Sequence, residues 1–157
     1  MRSASVLAVL AVTMLASGSS CAGSRIDRAA VLALLPENER RDVVVQSNCI
    51  YSIPAKNVFT AYKRFGFCLV TNDALRIYKD DKKPSLAFES PISSIQEYSF
   101  HTDTFTLVTT AGNFGLVLDD SVKDSAKFIG TMQSRGVAEN RKLPEFKAKD
   151  AGPYSFP

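Results

Sequence analysis

The sequence predicts a mainly β domain, an antiparallel barrel or sandwich closed by one C-terminal α-helix, behind an N-terminal signal helix. Three observations carry this. Short runs rich in β-branched and aromatic residues follow one another between turn formers from Val43 to Leu118. The hydrophobic period then changes to three and four residues between Ser121 and Gly136. An apolar stretch after Arg2 ends in small residues. The chain has 157 residues, 45% apolar and 22% charged, which suits one buried core. Nineteen basic residues against sixteen acidic ones give a net charge of +3, well short of the single-sign excess of a nucleic-acid binder, and no nucleic acid is expected as a partner.

The run Ala4 to Ala16 is almost unbroken in apolar residues, and Ser17-Gly18-Ser19-Ser20-Cys21-Ala22-Gly23 follows it. A positive start, a short apolar core and small residues before a cut are the parts of a secretory signal, here residues 1–20. The run is shorter than the about 20 residues a membrane span needs. Residues 21–42 read as a tether with a short helix between Arg25 and Leu35, which Pro36 stops. The body, residues 43–136, opens on Val43-Val44-Val45. Its expected strands are Val43 to Ile53, Val58 to Tyr62, Gly66 to Val70, Ala74 to Tyr78, Ser85 to Glu89, Ile95 to Phe100, Thr104 to Thr110 and Asn113 to Leu118. Asn72-Asp73, Asp80 to Pro84, His101 to Asp103 and Ala111-Gly112-Asn113 supply turn chemistry between them. In the closing helix, Val122, Ala126, Ile129 and Met132 or Gln133 mark the buried face, helped by Phe128. Residues 137–157 are charged and punctuated by proline, and read as a loosely held tail.

Three cysteines in an exported chain leave one unpaired. Cys49 and Cys68 fall in expected strands, where a disulfide and two packed thiols are equal readings. Most aromatic residues suit an inner barrel face. The exceptions are Tyr62 and Phe65, which flank Lys63 and Arg64 at a strand junction, so that these four form a candidate binding surface. Arg76, Lys79, Lys82 and Lys83 lie nearby in sequence. The competing reading of these cations is ordinary solvated strand ends.

Cys21, just past the apolar core and preceded by small residues, resembles the lipobox cysteine of bacterial lipoproteins, although Gly18 stands where such boxes usually carry Leu, Val or Ile. The resemblance implies lipidation of Cys21 and attachment to a membrane. Ordinary cleavage after Gly18 or Ala22 is the rival and implies secretion. The lead-in Glu39 to Val45, the strand pair Gly66 to Tyr78 with its Thr71-Asn72 turn, the connector Pro91 to Ile95, two further strands and a single closing helix together resemble the pleckstrin-homology-like superfamily, especially its GRAM and bacterial branches. The resemblance spans Val43 to Gly136. It implies a strongly bent seven-stranded barrel capped at one end by the helix, with binding of lipid headgroups, peptides or proteins through loops at the open end. The headgroup-binding members cluster basic residues on the first two strands and their loop, the region where Lys56, Lys63 and Arg64 stand here without the family's alternating basic motif, which adds Lys56 to the candidate binding surface.

Chemistry has few residues to use. His101 lies in an expected turn with no second His in the chain, Ser93, Ser94 and Ser99 lack a base at recognisable spacing, and the pairs Asp80-Asp81 and Asp119-Asp120 suit turns and caps. No catalytic residue, metal or cofactor is expected. The sequence therefore points to a non-enzymatic, exported and lipid-anchored binding or assembly module of the cell envelope, at the periplasm or cell surface, with an unknown envelope protein or lipid as partner. A lipocalin-like carrier of a small ligand, or an unrecognised hydrolase, is the alternative.

Overall fold

The computed structural model describes residues 26–56, 59–119 and 122–149; the signal segment, Cys21 and residues 150–157 lie outside them. The chain forms α1 (Arg28–Ala33), α2 (Glu37–Arg41), β1 (Val43–Tyr51), β2 (Thr60–Tyr62), β3 (Arg64–Thr71), β4 (Ala74–Lys79), β5 (Leu86–Pro91), a 3-10 turn (Ile92–Ser94), β6 (Ile95–His101), β7 (Thr104–Thr109), β8 (Gly112–Leu118), α3 (Val122–Ser134), β9 (Ala138–Glu139) and β10 (Lys147–Lys149).

The body is mainly β, as expected. Two antiparallel meanders, β1-β3-β4-β5 and β6-β7-β8, join where β1 pairs with β8, giving one sheet in the order β5-β4-β3-β1-β8-β7-β6-β9. It departs from the expected barrel in two respects. The sheet has eight strands because β9, from beyond the helix, adds in parallel to β6, and it stays open, with β5 and β9 as its edges. Alternation turns Cys68, Val70, Leu75, Ile77, Phe105, Leu107, Phe114 and Leu116 into a common interior with Tyr98, Phe128 and Met132. The Phe105 and Phe128 rings meet edge to face at 5.1 Å.

The closing helix α3 covers that core, on a face that differs from the expected one. Phe128 and Met132, four residues apart, are buried with Ser125 and Thr131, whereas Val122 is 87% exposed. The largest ring sets the rotation of the helix, because Phe128 loses most by facing water. Gly136, at φ +75°, ends the helix. The Val137 N–H bonds back to Met132 O at 3.0 Å, and the Gly136 N–H to Gln133 O at 3.0 Å, the pairing that left-handed C-caps use. Arg135 ties this end to the β3-β4 turn through Asn72 O and the Asp73 carboxylate.

The tether expected at residues 21–42 is, from Ile26 onward, part of the fold. Asp27 caps α1, its Oδ1 accepting from the N–H groups of Ala29 and Ala30. The Arg40 side chain donates to Leu35 O and Ala33 O and so clips α2 against α1. Ile26, Val31 and Leu35 are buried against Phe67, Leu69 and Tyr78. These three sheet residues alternate with core residues and therefore lie on the outer face of β3 and β4. Phe67 and Tyr78, expected on the inner face, are buried outside it instead.

The tail also differs from expectation as far as Lys149. After β9 the Asn140 N–H bonds to Tyr98 O at 2.7 Å, and His101 Nε2 lies 3.3 Å from Leu143 O. Thr106 Oγ1 donates to Pro144 O at 3.0 Å and accepts from the Phe146 N–H at 2.9 Å. The Phe146 ring then rests on Gly115, where a Cβ would overlap it. Thr106 and Gly115 are outward positions of β7 and β8, so this strap covers the second outer face as the N-terminal segment covers the first.

Neighbouring leucines test the docked N-terminal segment. Leu35 is 3% exposed and Leu34 57%. Leu35→Ala lowers stability by about 3 kcal/mol, and Leu34→Ala by less than about 0.5 kcal/mol. Equal small effects in urea denaturation would show that the segment is a free tether.

Candidate functional site

The strands place the sequence-predicted binding residues together at the end of the sheet opposite the Arg135–Asp73 contact. Tyr62, Lys63, Arg64 and Phe65 run from β2 into β3, and Lys56 lies in the connection between β1 and β2. This connection is held on both sides. On the first, Ala55 and Asn113 exchange backbone hydrogen bonds at 2.9 and 3.0 Å. Gly112, at φ +133°, lets that approach occur, because a Cβ there would meet the Ala55 backbone at 2.7 Å. The Ser52 Oγ accepts from the Gly115 N–H at 2.9 Å. On the other side β10 lies parallel to β2, with the Lys147 N–H on Phe59 O and the Lys63 N–H on Lys149 O.

The surface made in this way is amphipathic. Tyr62 is 62% and Phe65 60% exposed, and Ile53 and Leu86 are exposed large apolar residues of the same end. Of the six exposed large hydrophobic residues among those described, these four gather here, leaving Leu34 and Val122 elsewhere. Lys56 and Arg64 are exposed and Lys63 is half-buried. Lys147 and Lys149 join them, both exposed, with Lys149 level with Tyr62. Lys82 and Lys83 lie in the turn between β4 and β5 at this end. Arg76 does not belong to the surface. It is ion-paired with Glu39 and Glu89 and has a side chain only 15% exposed. A cleft of about 160 Å³ beside Phe65, lined by Asn48, Ile50, Asp80 and Asp119 among others, places carboxylates among these cations, and Asp81 adds a further one in the turn that carries Lys82 and Lys83.

Sequence reasoning missed Lys147 and Lys149 because it left the tail unplaced. Its signal was small: Phe146 and Ala148 alternate with Lys147 and Lys149, a period of two just after Pro144.

Cys49 and Cys68 are free, buried thiols on neighbouring strands. Cys49 stands opposite Gly66 and Cys68 opposite Ser47, so the two are diagonal neighbours. The hydrogen bond with Cys49 and then burial push the Cys68 thiol well above its ordinary value of 9.0. Burial raises the phenols of Tyr51, Tyr78 and Tyr98 as well, for Tyr51 against a partial offset from Arg64. Among the described residues no three His, Cys, Asp or Glu side chains gather as metal ligands would.

No family model matches the chain, and no curated protein matches it in sequence. Among solved structures, the N-terminal PH domain of human ARAP2 is similar at 14% identity, over 71% of this chain and 92% of that one, with a TM-score of 0.47. The DH/PH domains of p115-RhoGEF, in an N-terminally truncated form with the linker, are similar at 14% identity over 60% of this chain and 28% of that one, TM-score 0.45. The DH/PH fragment of PDZRHOGEF in complex with human RhoA is similar at 14% identity over 71% and 36%, TM-score 0.45. The chain thus spans about a third of those two longer proteins.

Buried thiol and phenol groups fix the alkaline behaviour of the fold. Their folded values are raised, so the neutral forms stabilise the protein fully below the unfolded values, and that stability is lost as pH climbs toward the folded ones. Urea midpoints are expected to fall once pH passes the ordinary thiol value of 9.0, and further beyond the phenol value of 10.0. A midpoint constant or rising across that interval would contradict the burial of these groups.

Proposed function

We propose that this chain is an exported, non-enzymatic binding module of the cell envelope, carried on a membrane by lipidated Cys21, whose pleckstrin-homology-like body uses its open end to hold an anionic partner surface. The partner that the geometry favours is the bilayer in which the anchor sits. The observation that carries the reading is where the N-terminal helical segment meets the body. The Arg28 guanidinium lies over the Phe67 ring at 5.5 Å, and Phe67 pairs with Tyr78 in the row next to Gly66 and Lys79. The N-terminal segment therefore reaches the body two residues along β3 from Phe65 and three from Arg64. Five residues from Cys21 to Ile26 span at most about 17 Å, so an anchor at Cys21 holds the aromatic and cationic end close to its own membrane.

The chemistry of that end supports the reading. Tyr62 and Phe65 offer aromatic surface to the interface, and a lysine or arginine near an anionic leaflet contributes about 1 kcal/mol. The interior is filled by Tyr98, Phe105, Phe114, Phe128 and Met132, which supports binding on the surface over carriage of a small ligand inside.

The mature chain from a bacterial membrane is expected to show an acylated Cys21 by mass spectrometry, and Cys21→Ser to release it to the soluble fraction. An unmodified N-terminus refutes the anchor. The unacylated chain is expected to bind vesicles of anionic phospholipid with an affinity that falls with salt, and Lys56→Gln with Arg64→Gln to weaken that binding roughly tenfold or more. Salt-insensitive or absent binding removes the membrane partner.

A further inference from the structure

We propose that the C-terminal strap is half of this binding surface: Lys147 and Lys149 contact the phosphate groups of the anionic bilayer beside Arg64 and Tyr62, and Phe146 seated on Gly115 is the lock that holds the loop in its presenting shape. The inference rests on the reading of the open end as an anionic-surface site.

The geometry points this way in three steps. A parallel pair of three-residue strands has little stability of its own, and among the described residues β10 pairs with β2 alone. What fixes β10 is therefore the residue before it. Phe146 is buried, its N–H is bonded to Thr106 Oγ1, and its ring fills the slot that Gly115 leaves by lacking a Cβ. The same strand then holds Phe59 and Lys63 through the Lys147 N–H and Lys149 O, so the position of the loop from 59 to 63 depends on a ring seated on the far meander. Lys147 and Lys149 are two apart on a strand and point to one side, and both are exposed. Two lysines with a common direction beside Arg64 and an exposed tyrosine complement an anionic interface, and their side chains are presented by the strap whether or not the membrane is present.

Phe146 is a positioning residue here, and the two lysines are the contact residues. The test uses the unacylated mature chain with phosphatidylglycerol vesicles, and with phosphatidylcholine vesicles for comparison. Lys147→Gln with Lys149→Gln is expected to lower partitioning roughly tenfold and to flatten its salt dependence. Arg141→Gln with Lys142→Gln removes two charges from an exposed part of the same strap outside β10 and is expected to leave partitioning within about twofold. Equal losses from both pairs would overturn the assignment, because net charge alone would then account for binding.

The lock is read separately by amide exchange. Phe146→Ala is expected to speed exchange at Lys63 and Lys147 more than tenfold while the amides of β3 and β7 stay protected, and to weaken vesicle binding although both lysines remain. Thr106→Val, which removes both strap hydrogen bonds and preserves the residue's shape, is expected to act in the same direction if Phe146→Ala does not fold. Unchanged exchange at Lys63 in folded variants overturns the lock. A wild-type chain that ignores anionic vesicles, or instead binds a protein from the envelope, overturns the lipid contact of Lys147 and Lys149, and the exchange measurement then still decides the lock on its own.

Discussion

A sheet has two faces, and this one buries only one of them against its own core. The constraint that shapes the molecule is the cover of the other. Phe67, Leu69 and Tyr78 project outward from β3 and β4, and Thr106 and Gly115 mark the corresponding outward side of β7 and β8. Exposed rings would cost the fold burial worth about 2 kcal/mol each. The chain covers them with its own ends: Ile26, Val31 and Leu35 on one side, Phe146 on the other. The segments that flank the sheet in sequence are therefore layers of the structure.

That solution brings the two described flanking segments toward the same end of the sheet. The N-terminal segment, followed backward from β1, climbs past the Glu39–Arg76 contact to Arg28 over Phe67. The C-terminal strap, followed forward from α3, climbs past Thr106 and Gly115 to β10 beside β2. Helix α3 takes the opposite end, tied to the β3-β4 turn by Arg135. The molecule is thereby polarised, with a capped end and an end where loop cations and exposed aromatic residues gather near Arg28.

The body was legible because its strands are amphipathic at a period of two: Phe114, Leu116 and Leu118 face the core together, as do Phe105 and Leu107. Tyr62 and Phe65 were legible as exposed because they sit among cations at a strand junction. What could not be read were contacts between segments far apart in the chain. Phe67 and Tyr78 read as inner-face residues because sequence shows that a ring is buried and does not show which layer buries it. Phe146 read as part of a tail because its partner is the absence of a side chain at Gly115, 31 positions earlier. The face of α3 was misjudged at Val122 because periodicity treats apolar residues alike, whereas packing follows the bulk of Phe128. Eight paired strands in place of seven follow from the same blindness, since β9 is two residues long.

The flanking segments are built into the fold, and native-state amide hydrogen exchange resolved by residue measures that directly. The expected result is that the amides of Val31, Leu35, Val137 and Phe146, which are bonded to carbonyl or hydroxyl oxygens in the structure, exchange within about tenfold of those in β3 and β8. Exchange of these four at the rate of an unstructured chain, with the strands still protected, would contradict it.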